Sequence, residues 1–143
     1  MAIRRMDHVG VVVDDLAAAT AFFLELGMEL VGEASVEGSD RIIGLAGVRA
    51  DLAFVRTPDG HSQLELTKFH TPAGPRADLN APANAPGLRH LTFAVDDLED
   101  VLHRLRAHGA TLVGEVEQFG DTYRLCFIRG PEGIIIELAE QLG

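Results

Sequence analysis

The sequence predicts an α+β fold made of tandem βαβββ repeats, forming a cupped, mostly antiparallel sheet with the helices on its outer face. Three observations carry that prediction. The block from Met6 to Glu33 returns from Arg89 to Glu115. His8 falls on His90, Asp15 on Asp97, Gly27 on Gly109, Gly32 on Gly114 and Glu33 on Glu115, all at a spacing of 82 residues. A second echo, FVRTPDG at 54–60 against FIRGPEG at 127–133, recurs at a spacing of 73, so the first copy carries extra residues between its halves. Within each copy the apolar pattern alternates between period two and helical spacing, as strand, helix and strands in succession require.

The chain opens with a strand in which Val9, Val11 and Val13 alternate with His8, Gly10 and Val12. One face is all valine; the other sets a histidine beside the smallest residue, as expected of a sheet backing onto an open cavity. Asp14 and Asp15 stop the strand and offer an N-cap to a helix over Leu16 to Leu26, which Gly27 ends. Phe22 and Phe23 read as core at helical spacing. Met28 to Ser35 is the second strand, 36–50 an irregular region with turns at Gly38, Gly44 and Gly47, and Leu52 to Arg56 the third strand. A turn on Pro58-Asp59-Gly60 leads to a fourth strand over Gln63 to Thr67.

Pro72, Pro75, Pro82 and Pro86 exclude a central strand and mark a connector. The chain is therefore expected to be one domain over 1–143: a first unit at 1–69, a proline-rich connector at 70–87, and a second unit at 88–143. In the second unit Leu91, Phe93 and Val95 oppose His90, Thr92 and Ala94. Asp97 caps a helix with apolar Leu98, Val101, Leu102 and Leu105, and His103 and His108 lie off its apolar stripe. Strands follow at 111–115, 123–129 and 134–139, the last two joined by Gly130-Pro131-Glu132-Gly133.

On the faces opposite the helices the repeat places one imidazole and one carboxylate per unit: His8 with Glu65, and His90 with Glu137. Convergence of these four would give two nitrogen and two oxygen donors. That set suits a divalent ion such as nickel, zinc, cobalt, manganese or iron without selecting among them, and leaves two octahedral positions open to a vicinal di-oxygen substrate. One register question attaches to Glu65. Glu137 lies four residues after Gly133 but Glu65 lies five after Gly60, so His61 must be absorbed in the turn if Glu65 is to face away from the core.

Composition excludes other classes. A formal charge of −10 and pI near 4.9 are wrong for neutralising phosphates, which removes nucleic acid and basic docking to membranes as expectations. No apolar run approaches the length of a membrane span or a signal-peptide core, so a cytoplasmic protein is expected. The single cysteine, Cys126, lies in a strand-like run and reads as a buried thiol. Exposed sheet edges lead to the expectation of a homodimer.

The paired units, the DHVGVVVDDL and RHLTFAVDDL openings, the LG or HG after each helix, and the PDG…LEL and PEG…IEL closings resemble the glyoxalase/vicinal oxygen chelate superfamily. The resemblance covers nearly the whole chain outside the connector. It implies His8, Glu65, His90 and Glu137 as the metal set, matching glyoxalase I and close to methylmalonyl-CoA epimerase. It further implies a lyase, isomerase or epimerase that abstracts a proton next to a carbonyl through a metal-stabilised enediolate, with Glu137 as first candidate base and Glu65 as second. Two departures bear on the substrate. Val12 stands where glyoxalase I commonly has an arginine for the glutathione carboxylate, and Arg89 stands where the epimerase often has a second histidine. Arg41, Arg56, Tyr123, Arg124 and Arg129 are candidates to contact an anionic substrate. The alternatives within the superfamily are a metal-free, antibiotic-type binding protein and then an extradiol dioxygenase, whose iron takes only one carboxylate.

Overall fold

Each repeat builds its own mixed sheet, and the computed structural model describes residues 2–143. The chain divides into two units, with the boundary between Arg76 and Ala77.

In the first unit β1 (Val9–Val12), α1 (Leu16–Leu26), β2 (Glu29–Glu37), the single-turn α2 (Asp40–Ile43), β3 (Arg49–Arg56) and β4 (Gln63–Thr71) follow in order. Their sheet runs β1-β4-β3-β2, parallel between β1 and β4 and antiparallel elsewhere. Val11 pairs with Leu66, which pairs in turn with Ala53, so these residues share a face, and α1 packs on it. Phe22, Phe23, Val55 and Leu66 are essentially excluded from solvent there. The two phenylalanine rings meet edge to face at 5.3 Å and 82°. Burying a side chain of this size is worth about 2–3 kcal/mol. Helix α1 begins where the Asp15 carboxylate accepts from the Ala18 amide at 3.0 Å, a cap worth about 1 kcal/mol. It ends at Gly27, whose φ of 124° lets the Met28 amide reach back to Phe23.

The strands of this unit outrun their expected limits. β3 starts at Arg49 rather than Leu52, and β4 continues to Thr71. The extensions pair with one another, Ala50 with Phe69 and Asp51 with Lys68, across a bulge beside Arg49. Thr71 Oγ1 donates to the Gly47 carbonyl at 2.7 Å. His70 and Thr71 are therefore strand rather than connector. The irregular stretch before β3 is held by Asp40, whose carboxylate accepts from the Gly47 and Val48 amides at 2.8 and 2.9 Å. Those two bonds hold its carboxyl below the usual aspartate range.

The second unit comprises β5 (His90–Val95), α3 (Leu98–Arg106), β6 (Thr111–Leu112), β7 (Glu117–Phe119), β8 (Tyr123–Arg129) and β9 (Ile135–Gln141). The order is β5-β9-β8-β6, with β7 also on β8, and β5 lies parallel to β9. Leu98, Val101, Leu102 and Leu105 are buried, as their spacing requires, while His103 and His108 are exposed. The Asp97 carboxylate caps α3 through the Asp100 amide. Cys126 is buried, and burial pushes its thiol up from the ordinary range, which disfavours the nucleophilic thiolate. The strand expected over 111–115 is broken: only Thr111–Leu112 pair with β8, and Glu117–Phe119 pair with it separately. Gly114, with no side chain to pack, lies in the gap.

Part of the expected connector belongs to this second unit. The Arg129 guanidinium donates to the carbonyls of Leu79, Asn80 and Ala81 at 3.3, 3.3 and 2.9 Å, and to that of Gly133 at 3.0 Å. Gly133 has φ of 80°, and a Cβ built on it would overlap the Leu79 carbonyl group. The connector is thus seated against the turn that leads into β9. Among the described residues no helix is long and apolar enough to cross a membrane.

Candidate functional site

The first histidine–carboxylate pair is set by the strand register of the first unit. Glu65 pairs with Gly10 on β1 and with Phe54 on β3, so its side chain leaves the face opposite Leu64 and Leu66. The extra residue is absorbed in the turn. Arg56 pairs with Gln63 across the first turn and Arg129 with Ile135 across the second, one residue sooner. The longer turn closes by bonds from the Thr57 amide to the Ser62 carbonyl and from the His61 amide to the Asp59 carboxylate. His8 Nε2 then lies 3.3 Å from Glu65 Oε2, while Nδ1 lies 2.8 Å from Asp7 Oδ2. Asp7 is itself held by Arg5 at 2.9 Å, and His8 and Arg5 together keep its carboxyl below the usual range. Thr67 Oγ1 donates to Glu65 Oε1 at 3.3 Å, and the His8 ring stands edge-on to Phe54 at 6.2 Å.

The second pair has the same parts in the second unit. Glu137 is flanked in the sheet by Thr92 and Phe127, on the face opposite Leu138 and Ile136. His90 Nε2 is 3.6 Å from Glu137 Oε1, too long for a hydrogen bond. The His90 ring packs against Phe127 with centroids 4.9 Å apart. Thr92 Oγ1 donates to Glu137 Oε1 at 2.8 Å. The Glu137 side chain is 18% exposed and that of Glu65 26%, so both carboxylates are recessed yet reachable.

Each unit thus brings its predicted histidine and glutamate together, and among the described residues no group of three or more His, Cys, Asp or Glu side chains is arranged so that it could hold a metal ion. The donor chemistry of each pair fits a cation. A neutral imidazole has one N–H; where Asp7 accepts it, His8 faces Glu65 with a bare nitrogen, an arrangement that a divalent ion between the two satisfies.

Several supporting residues escaped the sequence reading. Phe54 and Phe127 were visible as an echo at one spacing, and their alternation with Glu65 and Glu137 across the paired strands is the signal that could have assigned them. Thr67 and Thr92 do not correspond in the repeat and left no such signal. At the Thr92 position the first unit has Gly10, where an added Cβ would meet nothing within 4 Å. Two candidate anion contacts are committed elsewhere: Arg124 pairs with Glu99 at 2.5 Å, and Arg129 is spent on carbonyls. Val12, 65% exposed, occupies the open face beside the first pair. A third histidine–carboxylate contact, His70 Nε2 to Asp51 Oδ2 at 2.7 Å, lies on the helix side of the first sheet. Ser35 donates to the same carboxylate, so aspartate stands between serine and histidine, the wrong order for a nucleophile relay.

Comparison with known proteins identifies the fold and the family. The chain is 29% identical to the uncharacterized protein YaeR of Escherichia coli over 143 residues, covering 99% of each chain. Its fold superposes on a crystal structure of a glyoxalase family protein from Bacillus cereus with a TM-score of 0.96 at 47% identity, over 100% of this chain and 99% of the other. It also superposes on the trypanothione-dependent glyoxalase I of Leishmania major with a TM-score of 0.68 at 22% identity, over 96% and 87%, a likeness of fold alone. The model of the Glyoxalase/Bleomycin resistance protein/Dioxygenase superfamily matches residues 5–138, which span both histidine–glutamate pairs, and the chain belongs to that superfamily.

Proposed function

We propose that the protein is a divalent-metal-dependent lyase or isomerase that abstracts a proton next to a carbonyl of a small-molecule substrate. In this reading His8, Glu65, His90 and Glu137 hold the ion. The observation that carries it is the duplicated pair, with a histidine and a recessed glutamate on the open face of each sheet. When bound, the ion supplies Lewis acidity that makes the neighbouring C–H bond more acidic.

The chain's own residues supply the rest. Glu137 Oε2 is the base that takes the proton, because the Thr92 hydroxyl bond and the 3.6 Å approach of His90 are both made to Oε1 and leave Oε2 available. The Thr92 hydroxyl holds the other oxygen and so orients the first. Glu65, nearer its histidine, is the second candidate base, acting on the opposite face of a substrate that must be reprotonated there. Phe54 and Phe127 limit the rotation of the histidine rings. Val12 in place of a cation favours substrates without a glutathione carboxylate at that position.

The test is metal content of protein purified without a metal-chelating tag, with His8→Ala and Glu137→Ala alongside. About one ion per pair of histidines, lost in both variants, supports the reading. Proton exchange into dicarbonyl hemithioacetals and 2-substituted acyl thioesters would then be followed by NMR. Wild-type protein that takes up no nickel, cobalt or zinc overturns it and leaves a small-molecule binding protein.

A further inference from the structure

The two histidines are equivalent in the repeat, but the residues before them are opposite in charge. Asp7 precedes His8, and Arg89 precedes His90 at the same spacing of 82. The Asp7 carboxylate reaches His8 Nδ1 at 2.8 Å and is anchored on its other oxygen by Arg5 at 2.9 Å. Arg89 has no acceptor to offer an imidazole, and its own Nε is buried without a hydrogen-bond partner.

We infer that Asp7 is a positioning residue that locks His8 in the Nδ1–H tautomer and aims Nε2 at Glu65, and that the second unit lacks this device, so the two histidines are unequal donors. This rests on the metal reading only where metal affinity is concerned; the tautomer is a property of the metal-free protein.

An imidazole can present either nitrogen, and an unconstrained ring divides its population between two tautomers and several χ2 settings. A charged acceptor on Nδ1 selects the tautomer with its proton there and raises the electron density at Nε2. Phe54, edge-on to the ring, constrains its rotation. For His90 the aromatic neighbour is present and closer, but Arg89 replaces the preceding carboxylate and Glu137 lies beyond hydrogen-bond distance of Nε2, so ring packing is retained and tautomer selection is not.

Long-range 1H–15N correlation spectra of 15N-histidine-labelled, metal-free protein above the histidine titration range test this directly. His8 is expected to show a protonated Nδ1 and a bare Nε2, and His90 a mixture of tautomers. Asp7→Ala should turn the His8 pattern into a mixture while His90, His103 and His108 keep theirs; Asp7→Asn, which retains an acceptor, should restore the Nδ1–H pattern. Asp7 is exposed, so both variants should fold, and unchanged signals from the other histidines verify it. Cobalt and zinc titrations should show affinity falling about 10- to 100-fold in Asp7→Ala. An unchanged His8 pattern in Asp7→Ala, or a His90 pattern as pure as that of His8 in the wild type, overturns the inference. A wild type that binds neither metal removes the metal reading, and the tautomer result still decides the role of Asp7.

Discussion

Gly60 and Gly133 occupy matching positions in the two Pro-acid-Gly turns and have nearly the same backbone, with φ of 79° and 80°. They differ in surroundings. A Cβ on Gly60 meets nothing within 4 Å, whereas one on Gly133 overlaps the Leu79 carbonyl. Alanine at either position pays the left-handed penalty, about 1–2 kcal/mol. At Gly133 the connector must also move, which disrupts the Arg129 bonds to Leu79, Asn80 and Ala81. Hydrogen bonds to a charged donor are worth about 1.5–3 kcal/mol when well buried. Two of these three are exposed and long, so their joint worth is taken as about 2 kcal/mol after solvent discount. Gly60→Ala should therefore lose about 1–2 kcal/mol and Gly133→Ala about 3–4 kcal/mol, the difference isolating the connector contact. Urea unfolding of both variants measures the losses, and hydrogen exchange over 77–87 locates the second one. Equal destabilisation by the two substitutions would refute the packing argument, since the φ penalty would then account for everything.

Two further substitutions probe other parts of the molecule. Gly10→Thr places on β1 the residue that the second unit carries beside its glutamate. It should be tolerated or stabilise by up to about 1 kcal/mol, because a β-branched residue replaces glycine in open space, and a loss of more than about 1 kcal/mol in thermal unfolding would show that face to be occupied. Asp40 has a folded-state carboxyl depressed by its bonds to the Gly47 and Val48 amides. Its stabilisation is then fully present above the ordinary aspartate range and is lost as pH falls through the depressed value. Asp40→Ala should flatten that acid limb of the stability profile and speed exchange of the Val48 amide at neutral pH; an acid limb identical to wild type would contradict it.

The duplicated fold was legible because repetition doubles every weak signal. A valine strand, an aspartate cap and a terminating glycine at one spacing are each ordinary, but their recurrence is not. Strand ends were less legible, since Phe69 and His70 follow no alternation of their own and become strand only because Ala50 and Asp51 extend to meet them. The histidine–glutamate pairs were half legible. Residue type and repeat named His8, His90 and Glu137, whereas the orientation of Glu65 depended on where a six-residue turn stores its extra member, which hydrogen bonds at Asp59 and Ser62 decide. The threonines were illegible for a different reason. Glu65 takes its hydroxyl from its own strand and Glu137 from a neighbouring one, so the same chemical need is met at positions that no alignment of the two halves would superimpose.

The seating of Leu79–Ala81 against the turn at Gly133 fixes where the polypeptide can be divided. A fragment starting at residue 88 would leave four Arg129 contacts reduced to one and unroof the turn before Glu137. A fragment starting at residue 77 keeps them all. For complementation of separated halves, insertion of a reporter, or circular permutation, the admissible window is thus the short stretch 72–76, and not the whole proline-rich run that composition alone would offer.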